Sequence, residues 1–273
     1  MNAQSFSAHM VSGFDPMQAD MVLQPQQTPL HLAPVGAKAV ALDFDGGQLS
    51  SDAGVLLLKD IDDHLGLTHD LAAVLSDPRD ARRVKFTLHD LLKQRVFQIA
   101  AGYEDANDSN TLRDDPIFKL LLDRLPETGA PLASQPTMSR CENRVSRTEL
   151  YRMARVLVDQ FIASYARPPQ LIVLDVDDTE DPVHGEQEQA RYDGYYGGYC
   201  FLPLHLYEGL SGRLITTIFK AKRFTGTQML SVLTRLVKRL RQAWPDTLLI
   251  FRGDRHFASP EVMQWIEAQA HRS

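Results

Sequence analysis

Gln170-Leu171-Ile172-Val173-Leu174-Asp175-Val176-Asp177-Asp178-Thr179 is an apolar, partly β-branched run that ends abruptly in acids. Such a run suits a strand buried within a sheet. Carboxylates at the end of a buried strand are costly unless they are hydrated, paired or bound to a cation. Because side chains alternate along a strand, Asp175 and Asp177 share one side. A second apolar run, TLLIFRGD from Thr247 to Asp254, also ends in an acid. Between the two lie YCFLPLHLYEG (199–209) and RLITTIFKAK (213–222), which read as strands, and TGTQMLSVLTRLVKRLRQAW (225–244), an amphipathic helix with a threonine cap. Pro203 argues for an edge or a bulge in the first of these strands. SPEVMQWIEAQA (259–270) opens a closing helix. The strand–helix–strand crossover makes the last strand parallel to its neighbour. If that neighbour is the first strand, Asp177 and Asp254 emerge side by side, and two carboxylates there suit Mg²⁺. The plainer reading of each acid alone is a strand-end turn former.

Working outward, residues 38–167 read as a helical N-terminal domain. AVALDFDGG (39–47) enters it as a short strand, and apolar faces recur around Val55–Leu65 and Leu88–Ile99. A third helix starts at Asp115-Pro116, and a long one is expected from Ser134 toward Tyr165, before Arg167-Pro168-Pro169 breaks the pattern. Residues 1–37 show no sustained periodicity and read as a flexible leader. Residues 168–273 form the mixed α/β part. The fold class is therefore α/β: a mixed sheet with flanking helices, preceded by an all-helical domain.

The chain has 273 residues, 44% apolar and 23% charged, the composition of an ordinary globular protein. Its net charge of −6 excludes a globally basic nucleic-acid binder. The average conceals an asymmetry. Residues 171–200 carry eight acids against Arg191, whereas 213–255 carry ten bases against Asp246 and Asp254. Acid beside base suggests a carboxylate cluster next to a phosphate-facing surface, with Lys220, Arg223, Lys238, Arg239 and Arg241 as the phosphate contacts. Two cysteines, Cys141 and Cys200, fit a reducing cytoplasm and exclude a four-thiolate zinc site. No apolar run reaches the ~20 residues of a membrane span, and no secretory signal opens the chain. His184-x-Glu186 lacks the cysteine pair of a zinc deaminase, and Gly194–Gly198 lacks the lysine of a phosphate loop. Tyr192, Tyr195, Tyr196 and Tyr199 read as turn packing sooner than as a nucleic-acid platform.

Taken together, Asp177-Asp178-Thr179, His184-Gly185-Glu186-Gln187-Glu188, Gly194-Tyr195-Tyr196-Gly197, Pro203-Leu204 and Arg252-Gly253-Asp254 before Phe257-Ala258 resemble a DDE-type insertion-sequence transposase with a ribonuclease-H-like catalytic core. SSDAGVLLLKDID, QIAAGYEDANDSNTLRDDPIFK and LASQPTMSRCEN resemble the helical N-terminal portion of the same group. The resemblance implies metal-dependent DNA cleavage and strand transfer at the terminal inverted repeats of a mobile element. It implies Mg²⁺ or Mn²⁺ held by Asp177 and Asp254 as catalytic and metal residues, and a nucleoid-associated protein acting as a homodimer or with an intact transposase copy. Arg255 and His256 depart from the small residues usual after the second Asp. The family's third acid, a Glu on a later helix, has no match, since Glu261 and Glu267 follow the last strand too soon. The core is expected to be incomplete and truncated, and cleavage by this chain weak or absent. Two alternatives follow from the same residues. One is a haloacid-dehalogenase-type phosphatase using Asp175 and Asp177, with Asp43 and Asp45 as an echo. The other is a non-catalytic DNA-binding or inhibitory transposase fragment.

Overall fold

The computed structural model describes residues 30–35, 38–42, 50–183, 185, 187–220, 223–254 and 257–270. Most of the leader, Asp43, Asp45, His184, Glu186, Lys222, Arg255 and His256 lie outside the described residues. The chain divides into two compact units, Met1–Leu49 and Ser50–Ser273. In the first, β1 (Leu30–Val35) and β2 (Lys38–Leu42) pair antiparallel with an irregularity between Leu32 and Val35. β2 falls where a strand was expected; β1 lies in the stretch read as leader.

The second unit begins with helices: α1 (Val55–Leu65), α2 (Leu67–Ala73), α3 (Leu88–Ala100), α4 (Ser109–Leu112), α5 (Pro116–Leu121), α6 (Gln135–Glu142) and α7 (Arg147–Ala163). Gly66 separates α1 from α2 with φ of 68°, a left-handed conformation that costs glycine nothing. Asp115 opens α5, its carboxylate accepting from the amides of Ile117 and Phe118 at 2.8 and 3.1 Å, with Pro116 in the first turn. The expected long helix from Ser134 is two. Ser146 and Glu149 form a reciprocal cap that starts α7 afresh, and Asn143–Val145 turns between the pieces. Buried Gln94 fixes α3 to the start of α6, donating to the Ala133 carbonyl at 2.9 Å and accepting from its amide at 3.0 Å.

The sheet portion comprises β3 (Leu171–Asp178), β4 (Asp181–Pro182), β5 (Arg191–Asp193), β6 (Gly198–Phe201), β7 (Leu204–Glu208), β8 (Leu214–Ile218), α8 (Gly226–Ala243), β9 (Leu248–Gly253) and α9 (Pro260–Ala270). A four-stranded sheet has the order β8-β7-β3-β9. β7 is antiparallel to β3 and to β8, whereas β9 is parallel to β3. This is a mixed α/β fold with flanking helices. Leu174, Leu204, Leu206 and Ile215 pack with Phe161 of α7, Met229 and Leu233 of α8, and Val262 of α9, so the three helices share one face. Thr225 caps α8 with a second reciprocal box.

Two expectations are corrected here. The run 199–209 is not one strand: it breaks at Leu202-Pro203, because Pro203 cannot donate to a ladder, and resumes as β7 in the interior of the sheet. The segment after β3, whose glycines and tyrosines suggest turns, also carries short strands. β4 and β5 flank β6 in a separate three-stranded sheet.

Candidate active site

The register of β3 against β9 sets the site. Asp175 stands opposite Arg252 and Val176 opposite Gly253, so the next step along both chains is Asp177 beside Asp254. Neighbouring strands lie about 4.8 Å apart, which brings the two positions to one end of the sheet. Both acids are exposed, and among the described residues neither side chain has a hydrogen-bond or ion-pair partner. On its other flank Asp177 stands opposite His205 of β7. The His205 Nδ1 lies 3.0 Å from the Thr217 hydroxyl of β8. His205 was missed as a neighbour of the site, because only the strand register shows it. Asp178 points to the opposite side and is buried.

Asp175 sits on the same side as Asp177 but in a different state. Arg252 Nε donates to its Oδ1 at 2.9 Å, and Nη2 donates to Oδ2. This bidentate pair holds the Asp175 carboxyl below the usual carboxylate range and raises the guanidinium. A nucleophilic Asp175, which the phosphatase alternative needs, is therefore already engaged. The antiparallel strands that follow β3 also depart from the alternating strands and helices expected of that alternative.

Glu261 is engaged locally. Its carboxyl is held below its usual range by its own backbone N–H and by the Ser259 hydroxyl, and it packs against the start of α8 at Gly226. Glu267 lies exposed on α9. Among the described residues no group of three His, Cys, Asp or Glu is placed to hold a metal ion. Two adjacent carboxylates fit one divalent cation through part of its shell, with water and phosphate oxygens for the remainder.

The five basic residues expected to meet phosphate do not form one surface. β8 runs in the direction of β3, so Lys220 and Arg223 leave the sheet at the same end as Asp177 and Asp254. Lys220 donates to Gln228 Oε1 and lies over the Phe224 ring at 4.3 Å. Arg223 lies 3.5 Å from the Asp193 carboxylate and over Tyr195 at 5.5 Å. Lys238, Arg239 and Arg241 occupy the far turns of α8, roughly 20 Å along its axis from Thr225. Arg239 pairs with Asp159 at 2.6 Å, and Arg241 donates to the carbonyls of Pro245 (3.0 Å) and Thr247, which ties the helix end to the start of β9. Lys238 is exposed. Tyr192, Tyr199 and, in the turn between β5 and β6, Tyr195 are open to solvent, Tyr195 at 80%, while Tyr196 is half-buried, so turn packing does not account for all of them. Cys200 is buried, and Cys141 is half-buried beside Phe86 and Met138.

Comparison with known families gives the class. Residues 32–272 match the family model described as transposase DDE domain group 1, and the chain belongs to that family. Among solved structures it is similar to the piggyBac transposase in a synaptic complex with hairpin DNA, at 13% identity and a TM-score of 0.32, over 78% of this chain and 53% of that one. The chain thus spans about half the length of that protein. No curated protein matches it.

Proposed function

We propose that this chain acts at the ends of a mobile DNA element, with Asp177 and Asp254 as the paired carboxylates at the scissile phosphate. The parallel register of β3 with β9, whose next step is Asp177 with Asp254, carries the reading. A bound Mg²⁺ or Mn²⁺ would polarise a phosphoryl oxygen and lower the pKa of a bound water. Asp177 and Asp254 would hold that ion, while Asp175 is withheld by Arg252. Lys220 and Arg223, at the same end of the sheet, fit contacts to flanking phosphates, and Lys238 is the exposed cation of the second group. The helical portion, 38–167, is proposed as the part that grips terminal repeats. With two carboxylates brought together among the described residues, ion binding by these two is expected to be weak and cleavage impaired. A homodimer, or pairing with another transposase copy at the nucleoid, belongs to the same proposal. No helix among the described residues is long and apolar enough to cross a membrane.

Gel-shift and strand-cleavage assays on duplexes carrying the terminal repeats test this. The expected result is retarded DNA whose affinity falls with salt, with Asp177→Asn and Asp254→Asn retaining binding. Lys220→Ala and Arg223→Ala should each lower the salt slope by about one. Cleavage in Mg²⁺ or Mn²⁺ should be weak and lost in both Asp variants. Robust cleavage would refute impairment, and absence of DNA binding would refute the whole reading. Cleavage that Asp177→Asn leaves intact would move the chemistry elsewhere. DNA binding with no cleavage under any condition favours the inhibitory-fragment alternative.

A further inference from the structure

Among the described residues β9 is an edge strand, paired on one side only, and its outer face leaves Leu248 and Ile250 exposed. Its C-terminal end must nevertheless deliver Asp254 to a fixed place. On the core face Gly253 closes against Val176, where an added Cβ would lie 3.2 Å from the Val176 carbonyl oxygen. On the outer face the Arg252 side chain reaches across β3. Its fork grips Asp175, and its Nη2 continues to the turn between β7 and β8, where a Cβ on Gly209 would lie 2.8 Å from that nitrogen and 3.0 Å from Val173 Cγ1. The turn is itself rigid. The Gly209 amide donates to the Val173 carbonyl at 2.8 Å, and buried Glu208 accepts from the amides of Val173 (3.2 Å), Leu210 (3.2 Å) and Ser211 (2.7 Å). One guanidinium thus bonds β9 to β3 and lies over Gly209 of the β7–β8 turn, two residues before Asp254.

The geometry points to Arg252 as a positioning residue for Asp254, acting through Asp175 and through the space that Gly209 leaves open. The inference rests on the reading of Asp177 and Asp254 as the reactive pair, and deepens it. Arg252 does two things at once: it fixes the end of an otherwise half-held strand, and it neutralises the one other carboxylate on that face. A Cβ at 209 would lie 2.8 Å from Nη2, so a side chain there has to push the fork aside. Gly209→Ala should therefore reproduce the effect of Arg252→Ala although it removes no charge and no hydrogen-bonding group.

A cross-linking experiment reads this without metal or DNA. Asp177→Cys and Asp254→Cys are combined in a Cys141→Ser, Cys200→Ala background, and disulfide formation is followed under mild oxidation, since neighbouring strand positions fall within the Cα separation a disulfide spans. Adding Arg252→Ala or Gly209→Ala should slow bond formation about tenfold, with Arg252→Lys intermediate, while circular dichroism shows each variant folded. Without the Cys substitutions, the same changes should weaken Mn²⁺ binding about tenfold, as loss of a supporting partner does at metal sites. Unchanged cross-linking in folded Arg252→Ala and Gly209→Ala proteins overturns the positioning role and leaves the site reading standing. Failure to cross-link in the background that retains Arg252 and Gly209 overturns the adjacency of the two aspartates, and both readings with it. An effect of Arg252→Ala without one of Gly209→Ala overturns the role of the turn and reduces Arg252 to charge neutralisation.

Discussion

The helical and sheet portions are held together by different means. In the sheet portion, apolar side chains from three helices meet one face of β3 and β7, with Ile172, Leu174, Leu204, Leu206 and Ile215 fully buried. In the helical portion the apolar clusters are smaller, around Phe97, Phe118 and Leu121 and around Phe86 and Met138, and polar groups fill the gaps. Gln94, Gln98 and Ser109 are fully buried there, and Ser109 donates to Gln98 Oε1 at 3.0 Å. Burial of apolar area is non-directional, whereas a buried amide must find its partners in one geometry. The sheet therefore draws its stability from packing and its site from backbone register, while the helices draw their arrangement from a few directional bonds.

The contrast is broken or sharpened by substitution. Leu206→Ala should cost the sheet portion about 3–5 kcal/mol, the transfer term plus a cavity the rigid sheet cannot fill, read from urea denaturation. Gln94→Leu should cost the helical portion about 2–3 kcal/mol despite added apolar surface, because it strands both backbone groups of Ala133. If it proves neutral, directional bonding does not organise the helices. Ser146→Ala, Thr87→Ala and Thr225→Ala each remove a cap and should cost about 1 kcal/mol, similarly in both portions.

The smallest effect is a pH dependence. The Ser146 hydroxyl, with the amides of Ser76 and Ser146, holds the Glu149 carboxyl down to about 2. Its folded pKa is depressed, so its contribution is complete above the ordinary value of 4.5 and is lost as pH falls through about 2. The stability gap between the unsubstituted protein and Glu149→Gln should accordingly shrink between pH 5 and pH 2. A gap that stays constant would show that the Ser146–Glu149 and Ser76–Glu149 bonds form without preference for the carboxylate.

Much of this was legible in the sequence because the β3 run is long, apolar and ends in acids, and because strands and helices alternate with clear caps at Thr225 and Asp115. The crossover through α8 gave β9 a parallel neighbour, but that this neighbour is β3 was only a condition until the register showed it. What escaped reading has physical causes. The break before α7 depends on a four-residue cap inside an otherwise helical pattern, and the small sheet β4-β6-β5 has strands of two to four residues, too short for periodicity to register. The basic residues of α8 share a helix with the site's sheet, but sequence spacing does not say which end of a helix meets which end of a sheet. Nor does it show that Arg252 belongs to Asp175: that pairing exists only once β9 is set beside β3.

The central claim is that Asp177 and Asp254, and not Asp175, face an incoming cation. Mn²⁺ titration followed by electron paramagnetic resonance, with Asp175→Asn, Asp177→Asn and Asp254→Asn side by side, tests it most directly. The account predicts that Asp177→Asn and Asp254→Asn each weaken binding by at least about tenfold, with Asp175→Asn weakening it less. Loss of binding in Asp175→Asn with retention in Asp254→Asn would contradict it.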